Sequence, residues 1–144
     1  MTKTTSPGNS KPGLLVETLL SSGFRHVGAW SAEGGRLVTL PGMPKDVGVY
    51  AFAVGGVVQY VGVATMGLAK RTYFYARPGV TQRTSLRINE LLLDQTASGA
   101  VVDVYVATPE NLAWRGLPVH GAAGLELGLI KAFNLPWNKR SVGP

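Results

Sequence analysis

The sequence predicts a small α/β fold, a β-sheet with helices packed against it. Residues 47–54 and 57–62 are β-rich runs joined by Gly55-Gly56, and a two-residue hairpin turn needs the positive φ that glycine supplies without strain. After this hairpin the order is helix, helix, strand, helix, which builds a sheet covered by helices. Apolar residues make up 45% of the 144-residue chain and charged residues 15%, enough side chain for a packed core and too little charge for a disordered chain.

Residues 1–12 are small, polar and helix-breaking and predict a disordered tail. Leu14, Leu15, Thr18, Leu19 and Ser22 recur at helical spacing before Gly23, so a short helix is expected over 13–22. Residues 25–46, with the Gly34-Gly35 turn and the breakers Pro41, Gly42 and Pro44, predict two short strands or extended segments. Residues 13–45 thus form an N-terminal extension, and 46–144 the main unit. Beyond the hairpin, 67–76 is helical up to Pro78-Gly79, 83–97 is a longer helix closing at Gly99, and 100–107 is a strand. A turn or short helix is expected over 109–114, a loop over 118–121, and a last helix over 122–133, ending before Pro136.

Composition narrows the chemistry. Without cysteine there is no disulfide framework, thiolate zinc site or thiol nucleophile, so any catalytic metal rests on oxygen or imidazole. No apolar run approaches the roughly 20 residues of a membrane span, and the polar start lacks a secretory apolar segment, so a cytoplasmic location is expected. Fourteen Lys and Arg against eight Asp and Glu give a net charge of +6, which fits a polyanionic partner or simple solubility.

Five of those cations, Lys70, Arg71, Arg77, Arg83 and Arg87, fall between positions 70 and 87 with no acidic residue among them and with Tyr73, Phe74 and Tyr75 interleaved. Such a strip could track a nucleic-acid backbone, or form the solvated faces of two ordinary helices. Leu68, Arg71 and Tyr75 share one helix face, and an arginine fork beside a phenol suits phosphate. Tyr50 and Tyr60 can reach one face of the paired strands. In the last helix Glu126 lies on the face of Ala122, Leu129, Ile130 and Phe133; it is either a site carboxylate or one at the stripe's edge or paired with a buried arginine.

Taken together, Gly48-Val49-Tyr50, Tyr60-Val61-Gly62, Arg71, Tyr75, Glu126 and Asn138 resemble, in order and spacing, the GIY-YIG nuclease superfamily, over about residues 46–140. The resemblance implies a three-stranded antiparallel sheet flanked by helices, and a metal-dependent endonuclease acting on DNA phosphodiesters. It implies Glu126 as ligand of a single Mg²⁺ or Mn²⁺, Arg71 beside the scissile phosphate, Tyr50 or Tyr60 helping to activate water, Tyr75 in the family's Tyr/His position, and Asn138 organising the site. Lys70, Arg77, Arg83, Arg87, Lys139 and Arg140 are the expected DNA contacts. Low or structure-based specificity is expected, with a non-catalytic nucleic-acid-binding module or a dimeric restriction-type nuclease as alternatives, in a monomer or homodimer. Where some members carry a lysine after the second glycine motif, this chain has Val63-Ala64-Thr65-Met66, leaving that assistance to Lys70 or absent.

Overall fold

A computed structural model describes residues 11–139; the expected tail lies outside them up to residue 10, as does Arg140. The chain runs α1 (Val16–Ser21), β1 (Arg25–Trp30), β2 (Ala32–Glu33), β3 (Arg36–Leu37), β4 (Gly48–Val54), β5 (Val57–Ala64), α2 (Leu68–Ala76), α3 (Arg83–Ala97), β6 (Val102–Ala107), β7 (Leu112–Trp114), β8 (Leu117–Val119) and α4 (Gly121–Ala132). No helix among the described residues is long and apolar enough to cross a membrane.

The predicted hairpin is β4–β5, and Gly55 and Gly56 turn it at φ 61° and 82°, the two positive values that match the twist of the flanking strands. β6 pairs antiparallel with the other side of β4, completing the three expected strands. A fourth joins them: β1, from the segment read as an extension, pairs with the free edge of β6, giving the order β1-β6-β4-β5. Sequence patterning did not mark β1 as a sheet strand because its burial pattern is mostly exposed or intermediate, with only Trp30 buried, as suits an edge.

Alternation divides the sheet residues between two cores. Tyr50, Phe52, Val102, Val104 and Val106 face Leu68 and Tyr75 of α2 and Ile88 and Leu92 of α3. Val49, Ala51, Ala53 and Tyr105 face Leu19 of α1, Ala122 of α4 and Leu135. In β5 the register shifts opposite Phe52 and Ala53. The extra residue, Gln59, reverses the alternation, so Tyr60 shares the face of Phe52 while Val58 lies on the other.

The segment expected as a turn or short helix followed by a loop is a second hairpin, β7–β8. Its turn residues are Arg115 at φ 52° and Gly116 at φ 84°. The pair Arg-Gly is a weak turn signal, since a positive φ is unusual for a residue with a long side chain. Pro118 opened the expected loop, yet both strands of an isolated ribbon are edges and tolerate its missing N–H.

Gly62 lies directly beneath the Tyr50 phenol: a Cβ there would collide with the hydroxyl and with Cζ of Tyr50. Only glycine lets the β4 tyrosine lie across β5. Gly62→Ala is therefore expected to destabilise the fold by about 1–3 kcal/mol, read as a lowered urea midpoint, whereas Gly79→Ala, where a Cβ comes no nearer than 3.4 Å to the Gln82 side chain, should not.

Candidate active site

α2 docks on the sheet through Leu68, Thr72, Tyr75 and Ala76, all buried, and this face carries the Tyr75 ring inward and holds Arg71, one turn earlier, at its margin. The Tyr75 hydroxyl lies 2.6 Å from the Tyr50 hydroxyl and 3.1 Å from that of Tyr60. One helix phenol thus joins two strand phenols. Two bonds among three hydroxyls use two protons and leave a third for another acceptor. Tyr60 is 6% exposed against 1% for Tyr50 and 0% for Tyr75, so the cluster meets solvent chiefly through Tyr60.

Burial pushes the Tyr75 and Tyr50 phenols well above the ordinary tyrosine value; Tyr50 and Tyr60 add to the rise of Tyr75 and Tyr60 to that of Tyr50, while the Arg71 charge opposes both and the bond with Tyr75 opposes the rise of Tyr50. These two hydroxyls stay protonated at neutral pH and serve as hydrogen-bond groups.

The Arg71 guanidinium stacks on the Tyr75 ring, its Cζ 4.3 Å from the ring centre, and Nη1 donates to Ser85 Oγ at 3.0 Å. Ser85 is 2% exposed in the first turn of α3. Stacking and a buried acceptor fix the plane of the fork, which a lysine could not reproduce. A cavity of about 230 Å³ opens beside it, lined by Val63, Ala64, Thr65, Met66, Lys70, Arg71 and Phe74.

Glu126 projects from α4, which packs on β5 and β4. Partial burial raises its carboxyl above the ordinary value, and its charge in turn helps raise Tyr50, opposite in sign to Arg71. Arg71 and Glu126 thus act on one phenol from α2 and α4. No described group of three or more His, Asp or Glu residues forms a metal cluster. A single carboxylate, desolvated and in no ion pair among the described residues, nevertheless fits a hard divalent cation, which keeps most of its waters and takes one or two carboxylates plus phosphate oxygens.

Asn138 bonds to backbone and to none of the three hydroxyls. Its amide clamps the β5 edge: the Val61 N–H donates to Oδ1 and Nδ2 donates to the Val61 carbonyl, each at 2.9 Å. It thereby fixes the backbone between Tyr60 and Gly62. Nearby, the Trp137 N–H donates to the Gln59 carbonyl at 2.8 Å, and Arg87 Nη1 to the Trp137 carbonyl at 2.9 Å. Arg77 donates to the Leu37 and Ala76 carbonyls at 2.7 and 2.9 Å. Of the expected DNA contacts, Arg77 and Arg87 are therefore engaged internally, whereas Lys70, Arg83 and Lys139 are exposed. The histidines serve elsewhere: His120 Nδ1 caps α4 by accepting from the Ala123 N–H at 3.0 Å, and His26 Nε2 lies 2.9 Å from Asp103.

Sequence reasoning missed Ser85 and also Asn89, whose Nδ2 donates to the Tyr75 carbonyl at 2.7 Å. The only available signal was a polar residue on the inner face of the 83–97 helix, at Ser85, Ile88 and Leu92.

The fold and this geometry define a small α/β domain with three linked phenols buried on one face of the sheet, an arginine stacked on them and a half-buried carboxylate on α4. No family model and no curated protein sequence matches the chain. Among solved structures it is similar to a mutant of bacteriophage T4 EndoII, with a TM-score of 0.71 and 22% identity over 88% of this chain and 100% of that one. It is also similar to the restriction endonuclease HPY188I in complex with product DNA, with a TM-score of 0.50 and 16% identity over 90% of this chain and 88% of the other. At these identities the likeness establishes a common fold.

A phenol whose pKa is raised by folding stabilises the native state fully below its unfolded pKa near 10, and that contribution is lost as pH rises through the folded value. Spectrophotometric titration should therefore show two tyrosines that ionise only with alkaline unfolding, and Tyr50→Phe should remove one of them. Asn138→Ala should cost about 1–3 kcal/mol through the two lost bonds to Val61, measured by denaturant unfolding.

Proposed function

We propose that this chain is a metal-dependent endonuclease of the GIY-YIG type, hydrolysing DNA phosphodiester bonds with low or structure-based specificity. The observation that carries the reading is the convergence of four motif residues: Tyr50, Tyr60 and Tyr75 in one hydrogen-bonded cluster, with Arg71 stacked on it. Motif spacing in the sequence did not require that geometry. The common fold with EndoII and with a restriction endonuclease crystallised on product DNA supports it.

In this mechanism the Arg71 fork donates to non-bridging oxygens of the scissile phosphate, held in plane by Ser85 and the Tyr75 ring, and stabilises the charge that builds as water adds. Tyr60, the most exposed phenol of the cluster, orients the attacking water, and the Tyr50–Tyr75 pair fixes the Tyr60 hydroxyl. The water oxygen bonds to phosphorus, the bond to the leaving sugar oxygen breaks, the water proton passes to solvent, and the leaving oxygen takes up a proton from solvent to become the sugar hydroxyl. Buried Tyr50 and Tyr75 are too weakly acidic to supply a phenolate base. Glu126 would hold a single Mg²⁺ or Mn²⁺, which when bound polarises the phosphodiester and stabilises the leaving oxygen. Lys70, Arg83 and Lys139 hold the flanking backbone by charge. Asn138 is a positioning residue for β5.

Purified protein incubated with single-stranded, duplex and branched DNA should cleave with Mg²⁺ and not with EDTA. Arg71→Lys should lower the cleavage rate by about 10²–10³. Because protons compete for a carboxylate whose pKa lies above its ordinary value, activity should decline as pH falls through that raised value. Salt-dependent binding with no cleavage beyond a Glu126→Gln control would assign the chain as a binding module.

A further inference from the structure

The β7–β8 ribbon is the part of the molecule that its own fold leaves uncovered. Every residue from 111 to 120 is exposed, and the ribbon pairs with no strand of the main sheet. Its register sets Leu112 opposite Val119 and Trp114 opposite Leu117, so these four side chains share one face and Ala113 and Pro118 the other. That face is apolar and open to water: Leu112 is 65% exposed, Trp114 62% and Leu117 61%. A two-stranded ribbon alone is marginally stable, and a contiguous apolar face of this kind marks a binding surface.

A second uncovered surface lies on the helix that follows. α4 carries only two charged residues, Glu126 and Lys131. Gly124, Leu127, Gly128 and Lys131 lie three or four residues apart on its exposed side, with Leu127 54% exposed. The two glycines present no side chain, so a bulky apolar ribbon can lie close to the helix backbone.

We propose that the β7–β8 ribbon is a dimerisation arm, the apolar face of each copy lying across the Gly124–Leu127–Gly128 face of α4 in a second copy, about a two-fold axis. Three features favour a second copy as occupant. The two uncovered surfaces of one chain both expose apolar side chains, and reciprocal pairing covers both at once. The five apolar side chains offer on the order of 500–600 Å² per copy. A pair therefore buries about 1,000–1,200 Å² of apolar surface, which with its polar rim reaches the roughly 1,200–2,000 Å² of specific interfaces. Arg115, its guanidinium 5.3 Å from the Trp114 ring centre, is the ribbon's one Lys, Arg, Asp or Glu, which does not suit a polyanion. Resting on the nuclease reading, the dimer sets two Glu126-bearing helices in one particle, one site for each strand of a duplex.

The test is the oligomeric state of the full chain, which needs no activity and so stands or falls separately from the nuclease reading. Analytical ultracentrifugation at tens of micromolar should give a dimer. Trp114→Glu with Leu117→Glu, and Leu127→Glu separately, should each weaken it at least 100-fold with unchanged far-ultraviolet circular dichroism. Val80→Glu, at a position 91% exposed elsewhere, should not. Because the chain has no cysteine, mixing Leu117→Cys protein with Leu127→Cys protein under oxidation should link the two chains by a disulfide. A wild-type monomer at 200 µM, or a dimer that survives both glutamate variants, would overturn the proposal. So would a monomer whose ribbon variants lose binding to DNA or to anionic phospholipid vesicles, outcomes that would give the arm to those partners.

Discussion

The Tyr75 hydroxyl, shared between Tyr50 and Tyr60 at 2.6 and 3.1 Å, is the interaction on which the rest of the arrangement depends. Buried phenols must find partners, because an unsatisfied hydroxyl in a dry core costs as much as a lost hydrogen bond. Here each supplies the other's partner, tying α2 to both strands of the hairpin. Gly62 leaves the space for the Tyr50 ring, and the shift in β5 turns Tyr60 to the correct side. The same burial that makes the bonds obligatory keeps Tyr50 and Tyr75 protonated.

Around this neutral cluster the charges are divided by task. Arg71 is held by an aromatic face and a buried serine, which keeps its fork planar and aimed. Glu126 meets no described cation in an ion pair and remains available to a ligand. Arg77 and Arg87 close the structure by binding the Leu37 and Trp137 carbonyls. The excess of +6 is thus partly structural, and only its exposed share, with Lys70, Arg83 and Lys139 among it, can draw in a polyanion.

The sequence made the hairpin, α2, α3, β6 and α4 legible because each has either a regular apolar period or a glycine stop at a definite place. Helix and strand periods also placed Tyr50, Tyr60 and Tyr75 on one side of the sheet, where they meet in one cluster with Arg71 beside them, whereas Glu126 comes from α4, which packs on the other side. β1 was not legible as a sheet strand, because pairing with β6 is a long-range choice that its own pattern does not encode. The β7–β8 ribbon was hidden by an arginine in the left-handed region and by Pro118. The spacing that singled out Asn138 did not reveal it as a clamp on Val61, and Ser85 became visible only when two helices met.

The central claim is that the phenol cluster organises a phosphodiesterase site, and Tyr75→Phe isolates it. This change removes both hydroxyl bonds while leaving the ring under Arg71. The single-turnover DNA cleavage rate at saturating Mg²⁺, measured beside DNA affinity, is the direct test. The account predicts a rate at least tenfold lower with affinity unchanged. A variant that cleaves as fast as the wild type would contradict it.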